Sequence, residues 1–158
     1  MNSSAILRRP RALVALIVVL IFQAVSAIPP GAMLVISPSG ELLHLPHSHL
    51  DGSPFPSFVV PGLVLSLVLG VLPALAATGL IRRWEAGPLA RLNPFRRYTW
   101  AWTLSLVVGV GLLIWIGVEV IWVPYTFLQP LYAAVGLAIV VLTFMPSVRA
   151  ACRRPAGP

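Results

Sequence analysis

The chain has 158 residues, of which 58% are hydrophobic and only 9% are charged. A soluble domain has about 25% charged residues, so this composition excludes a water-soluble domain and favours an integral membrane protein. The net charge of +7 comes from arginines that flank apolar runs, which favours anchoring in a lipid bilayer and argues against nucleic acid as a partner.

Four apolar runs reach the length that a helix needs to cross the hydrocarbon of a bilayer, about 17–25 residues. Each run must be helical in lipid, because an open backbone N–H or C=O finds no partner there. The predicted fold is an all-α membrane protein, a bundle of four transmembrane helices in a single domain, residues 1–158. The predicted spans are residues 12–28, 57–81, 98–122 and 128–145.

The positions of the arginines predict how the chain is threaded. The N-terminal segment has three arginines, the predicted inner loop at residues 82–97 has five, and the tail has three. The predicted outer loop at residues 29–56 and the turn at residues 123–127 have none. Short loops rich in arginine stay in the cytoplasm. We therefore expect a multi-pass protein with both termini in the cytoplasm.

The first span has an alternative interpretation as a secretory signal peptide. Residues 8–11 would be its basic region, residues 12–25 its apolar core, and Val25-Ser26-Ala27 its cleavage site. The mature chain would then begin near Ile28 and have three spans. The length of the run and the proline pair that follows it favour an uncleaved helix.

The predicted outer loop contains two segments that are typical of a β-hairpin. Residues 32–37 are rich in strand formers, Ser37–Gly40 has the proline and glycine of a type I turn, and Glu41–Leu45 can return as a second strand. An isolated hairpin is marginal in water. We expect a short extracytoplasmic β-hairpin between helices 1 and 2, resting on the bundle as a lid.

Small side chains recur on one face of two predicted spans, which lets membrane helices approach closely. Pro73, inside the second span, is expected to bend it because its ring clashes with the carbonyl of Leu69. The predicted packing positions are Gly62, Ser66, Gly70 and Ala74 in the second span, and Ser105 and Gly109 in the third.

Glu119 is the only ionisable residue inside a predicted span, one turn from the outer end of the third. Intramembrane carboxylates are costly and usually face the bundle interior. Gln23, Gln129 and Tyr132 are expected at a similar depth, so the four side chains predict a polar cluster beneath the outer loop. The cluster is either a hydrogen-bonded contact that fixes helix packing, or a site for a proton, a cation or a small polar ligand.

His44, His47 and His49 form an H-x-x-H-x-H group in the outer loop, a spacing from which imidazoles can hold zinc or copper. Polar residues also collect in flexible loops without any metal. Cys152 is the only cysteine, so an internal disulfide and a C-x-x-C redox pair are excluded. The sequence predicts no catalytic residues and no cofactor.

Several short motifs resemble a group of small bacterial four-helix membrane proteins of no assigned activity. The resemblance covers most of residues 12–145 and implies a fold and a location without a reaction. Arginine-only basic residues and abundant Ala, Pro and Gly also suggest a bacterial source, and hence the cytoplasmic (inner) membrane. The motifs are Pro38-Ser39-Gly40, Gly52-Ser53-Pro54-Phe55, Pro61-Gly62-Leu63, Trp115 with Glu119, and Leu128-Gln129-Pro130-Leu131-Tyr132.

Three classes of function fit these observations. The first is a structural or accessory protein that packs with itself, as a homo-oligomer, or with a larger membrane complex. The second is a small carrier or proton-coupled protein that uses Glu119. The third is a metal-binding protein or sensor that uses the loop histidines. The first class is favoured and an enzyme is not expected, because packing in lipid already explains most of the sequence.

Overall fold

The computed structural model describes residues 9–83 and 92–154, apart from the side chains of His47 and Trp122. Residues 84–91 of the predicted inner loop lie outside the described residues. Within the described ranges all regular structure is helical, as predicted, and there is no β-strand. The helices are α1 (Arg11–Ile36), α2 (Val59–Arg82), α3 (Trp100–Trp122), α4 (Leu128–Phe144) and the short α5 (Pro146–Ala151).

Three of these helices, α1, α2 and α3, are long and apolar enough to span a membrane. They correspond to the first three predicted spans and indicate a membrane protein. The fourth predicted span corresponds to α4, which is apolar but has only 17 residues. The structure therefore supports three spanning helices and one shorter apolar helix, rather than four spans of full length.

The helices form a closed ring in which each packs on the next. α1 packs along α2, the second half of α2 packs on α3, α3 has its most extensive contact with α4, and α4 returns to α1. Loop residues 37–58 and the turn between α3 and α4 are at one end of the ring, the loop end. The termini of the described chain lie at the opposite end, the arginine end.

The predicted β-hairpin is wrong. Its first strand is the last part of α1, which continues through Pro29 and Pro30 to Ile36. Ala27, Gly31 and Leu34 are buried at helical spacing, and this periodicity outweighs the strand-forming composition of residues 32–37. Proline is tolerated inside membrane helices because neighbouring groups satisfy the carbonyls that it frees.

The rest of the predicted hairpin is a compact loop of turns. The turn at Ser37–Gly40 is present, with the Gly40 nitrogen 2.9 Å from the Ser37 oxygen and Gly40 at φ +82°. Glu41–Leu43 and His47–Leu50 form 3₁₀ turns instead of a second strand. Buried Phe58 donates its amide to the Pro38 oxygen at 3.1 Å, which ties both ends of the loop together.

Small residues bring α1 and α2 into close contact. A Cβ atom added at Gly31 would lie 2.5 Å from the Ser66 nitrogen and 2.9 Å from the Gly62 oxygen. One added at Gly70 would lie 2.5 Å from the Ile28 side chain. Three of the predicted packing positions therefore face α1. Gly31 of α1, which lies in the predicted outer loop, completes the contact from the other side.

The remaining packing positions lie elsewhere in the ring. Gly109 faces α4, where an added Cβ would be 3.2 Å from the Gly136 oxygen. Ser105 is fully buried and donates its hydroxyl to the Ala101 oxygen at 2.8 Å. Ala74 is partly buried on α2. Two helix pairs, α1–α2 and α3–α4, are thus joined through small residues.

The middle of α2 departs from regular α-helical geometry. Residues Val64–Val71 are π-helical, and Pro73 follows in the next turn. Proline has no N–H, so it cannot donate to the carbonyl of Leu69. Gln23 of α1 donates its side-chain amide to that carbonyl at 3.1 Å, so a polar side chain of the neighbouring helix satisfies the acceptor that the proline leaves open.

The arginine end is closed by contacts between the start of α3 and the C-terminal segment. Thr99 caps α3 by accepting the Trp102 amide, and its own amide donates to the Cys152 oxygen at 2.9 Å. Arg149 donates two hydrogen bonds to the Tyr98 hydroxyl, at 2.9 and 3.1 Å. These bonds lower the pKa of Tyr98, because they favour the phenolate.

Candidate functional site

A cavity of about 420 Å³ lies inside the ring at the loop end. It forms because α2 and α3 diverge: Leu72–Arg82 packs closely on α3, whereas Val59–Leu63 and Val64–Val71 pack mainly on α1. The 37–58 loop covers the gap with Leu43, Leu45 and Phe58. The loop thus acts as the predicted lid, although it has no strands.

The wall of the cavity is mostly apolar. It includes side chains from all four long helices as well as from the loop. The apolar lining residues are Ala27, Pro30, Leu34, Leu43, Leu45, Phe58, Pro61, Leu65, Leu69, Leu112, Trp115, Ile116, Val123 and Leu128. Five polar side chains interrupt this surface, namely Gln23, Ser26, His49, Glu119 and Tyr132.

The structure brings together three of the four residues of the predicted polar cluster. Gln23 of α1, Glu119 of α3 and Tyr132 of α4 line the same cavity. Gln129 does not line it. Gln129 is buried in the first turn of α4, where its side chain accepts the amide of Thr126 from the preceding loop at 2.5 Å. Its role in the structure is therefore to close the α3–α4 turn.

Glu119 is partly buried in the cavity wall. Trp115 lies one turn earlier on α3 and lines the same cavity. No described residue that lines the cavity is an arginine, so no guanidinium of the described chain pairs with this carboxylate from within the cavity. Glu119 thus places an acidic side chain in a mostly apolar cavity wall.

Gln23 presents an unused acceptor. The side chain is 1% exposed, and its nitrogen donates to the Leu69 carbonyl. A carbonyl can only accept, so the amide nitrogen must face Leu69 and the amide oxygen must point away from it. In the part of the chain that the structure describes, Gln23 Oε1 is the one buried side-chain nitrogen or oxygen atom without a hydrogen-bond partner.

The predicted histidine group is only partly described. His49 lines the cavity, whereas His44 is exposed on the loop with φ +53°. The side chain of His47 lies outside the described residues. No group of three His, Cys, Asp or Glu side chains that could hold a metal ion occurs among those described. Metal binding by His44, His47 and His49 stays a prediction.

Sequence reasoning missed several residues of this site. Ser26 and Trp115 line the cavity, and so do the loop leucines. Ser26 lies three residues after Gln23 on α1, and Trp115 lies four before Glu119 on α3, so helical spacing would have placed each pair on one face. Helical spacing could not identify the loop leucines, because they lie outside the long helices. The predicted hairpin also gave them the side-chain directions of a strand.

Comparison with known proteins does not identify the chain. No protein-family model matches it, and no curated protein or solved structure is significantly similar to it. The resemblance to small bacterial membrane proteins therefore rests on the short motifs alone. Any function must be argued from the cavity and from the helices that form it.

Proposed function

We propose that this protein binds a small, mostly apolar molecule in the cavity between α2 and α3. The cavity itself is the observation that carries this proposal. Its volume of about 420 Å³ falls within the roughly 300–1,000 Å³ of typical ligand pockets, which are apolar with a few polar groups. Such a space does not stabilise a helix bundle, because the side chains that line a void lose van der Waals contacts. A purely structural role therefore does not explain the cavity.

The proposal includes a membrane topology of four spans, with both termini in the cytoplasm of a bacterial cell. At 1.5 Å per residue, the 17 residues of α4 extend about 25 Å, close to the roughly 30 Å of hydrocarbon. Leu131, Leu137, Val141 and Phe144 of α4 are exposed and apolar, as lipid-facing side chains are. The arginine end then faces the cytoplasm, and the cavity lies in the outer half of the cytoplasmic membrane.

This role belongs to the second class of function, a small carrier or proton-coupled protein that uses Glu119. The first class, packing with a second copy or with a larger complex, is supported by a different observation. Gly111 and Gly117 of α3 both face open space, since an added Cβ at either would meet no atom within 4 Å. A homo-oligomer through the open surface of α3 is therefore a second candidate, and it is compatible with ligand binding.

The test of ligand binding uses 1-adamantanol, a compact, neutral and mostly apolar probe. The full-length protein in lipid nanodiscs should bind it saturably in titration calorimetry, after subtraction of the heat measured with empty nanodiscs. Ile116→Trp should abolish this binding, because Ile116 lines the cavity and the larger ring fills it. Ile114→Trp is the matched control, since Ile114 lies on the same helix but is 62% exposed and does not line the cavity.

Wild-type protein that takes up no more probe than the lipid alone would contradict the proposal. So would binding that survives Ile116→Trp, because the probe would then occupy another place. Circular dichroism and size-exclusion profiles of both variants establish that each still folds.

A further inference from the structure

We propose that the cavity selects a lipophilic ammonium, a molecule with an apolar body and a positively charged nitrogen that carries hydrogen-bond donors. This inference rests on the proposed binding function and names its ligand class. It follows from the hydrogen-bonding groups of the wall, which offer acceptors in excess and one negative charge.

Three acceptors belong to residues that line the cavity. The first is the Glu119 carboxylate, whose two oxygens can accept several hydrogen bonds. The second is Gln23 Oε1, which is buried without a partner. The third is the main chain at Ser26, whose carbonyl loses its α-helical donor because Pro30 has no N–H; both Ser26 and Pro30 line the cavity.

Two donors of the wall are already occupied. The side-chain nitrogen of Gln23 is bound to the Leu69 carbonyl, and the Ser26 hydroxyl is bound to the Gln23 carbonyl. No described arginine lines the cavity. The indole N–H of Trp115 remains, together with Tyr132 and His49, which can accept as well as donate. A ligand that supplies acceptors would leave Gln23 Oε1 unsatisfied, whereas a ligand that supplies donors would satisfy it.

Charge favours the same ligand class. Among the described residues, Glu119 is the only carboxylate that lines the cavity, and its surroundings are mostly apolar. An ammonium placed beside it would form a charge-assisted hydrogen bond, which is stronger than a bond between neutral groups. An anionic ligand would meet the carboxylate with no described arginine in the wall to offset the repulsion. The leucines and the aromatic rings of the wall would hold the apolar body.

The experiment compares three probes that share one apolar body and differ in the head group. They are 1-adamantylamine, 1-adamantanol and 1-adamantanecarboxylate, each titrated at neutral pH into full-length protein in nanodiscs of neutral phosphatidylcholine. We expect the amine to bind at least about tenfold more tightly than the alcohol, from the usual strength of a hydrogen bond to a charged group. The carboxylate is expected to bind most weakly.

Glu119→Gln keeps the size of the side chain and removes its charge. It should reduce the affinity for the amine to that for the alcohol measured with the same variant, so that the preference between the two probes is lost. Glu41→Gln is the matched control, because Glu41 is an exposed carboxylate of the loop that does not line the cavity. It should leave the affinity for all three probes unchanged.

The outcomes separate this inference from the proposed function. Equal affinity for amine and alcohol, or the tightest binding by the carboxylate, overturns the ammonium inference and leaves the binding function standing. Unchanged preference for the amine in Glu119→Gln also overturns it. Failure of all three probes to bind overturns the binding function itself.

Discussion

Gln23 shows how one residue joins the architecture of the bundle to its candidate site. Its amide nitrogen satisfies the Leu69 carbonyl, which Pro73 leaves without a helical donor, and its oxygen has no partner among the described residues. A leucine at this position would have nearly the same volume but neither group. The side chain therefore has a structural role, and the proposed function gives it a binding role as well.

We expect Gln23→Leu to destabilise the protein by about 1–2 kcal/mol, because the Leu69 carbonyl is left buried without a donor. Pro73→Ala restores a backbone N–H in the turn after Leu69, so the cost of Gln23→Leu should become smaller in that background. The measurement is a double-mutant cycle of unfolding free energies in mixed micelles of a mild detergent and dodecyl sulfate.

The cycle compares the effect of Gln23→Leu in the wild-type protein with its effect in the Pro73→Ala background. Additivity of the two substitutions to within about 0.3 kcal/mol would show that residues 23 and 73 act independently. The link between the proline and the glutamine would then be wrong.

At the level of secondary-structure elements, the close contact between α1 and α2 depends on glycines, which have no side chain to hold the two backbones apart. Gly31, Gly62 and Gly70 let the two backbones touch where the helices pass the cavity. The α2 helix is held against α1 along this contact, which is why its first half leaves α3 and opens the cavity. The position of the cavity therefore depends on glycines that do not line it.

Gly31→Ala is expected to destabilise the bundle by about 1–3 kcal/mol, because the new methyl group would lie 2.5 Å from the Ser66 nitrogen. Gly117→Ala is the matched control in α3, where the new methyl group meets no atom within 4 Å. It should be neutral, or stabilising by up to about 1 kcal/mol, since alanine favours a helix over glycine.

Thermal unfolding in detergent, followed by circular dichroism, compares the two alanine variants directly. Equal stability of Gly31→Ala and Gly117→Ala would mean that α1 and α2 do not approach as closely as described.

At the scale of the whole molecule, the two ends of the ring differ in packing and in charge. The arginine end is closed: Gly79 of α2 packs on Trp100 and Ala101 of α3, and Trp102 donates to the Thr143 oxygen of α4 at 2.8 Å. The loop end contains the cavity and has no arginine among its described residues. A bundle of this kind can hold a ligand at one end while the other end keeps the helices together.

The proposed topology is tested with alkaline phosphatase, which is active only after export. A fusion after Pro158 should be inactive, and an insertion between Gly52 and Ser53 in the loop should be active. A matched green fluorescent protein fusion after Pro158 should fluoresce, because that protein folds in the cytoplasm. Phosphatase activity at Pro158 would overturn the topology. An N-terminus at Ile28 by protein sequencing would instead show that the first span is cleaved.

The sequence by itself determined the class of the protein and the helical nature of its apolar runs. Lipid leaves no alternative to a helix for runs of this length and composition. It also placed Glu119, Gln23 and Tyr132 at a common depth, because depth follows from position along a span at 1.5 Å per residue. These conclusions need only local composition and spacing, so the printed sequence is enough to reach them.

Only the tertiary structure decided where α1 ends and where the cavity lies. Residues 32–36, which are rich in strand formers, are helical because this part of α1 packs on α2, and local propensity takes no account of such a contact. The hydrogen bond from Gln23 joins residues 46 positions apart. Gln129, which was predicted to join the polar cluster, instead accepts the amide of Thr126 in the adjoining loop. Such pairings depend on how the helices are arranged in space, because a backbone group accepts whichever donor the packing brings within reach.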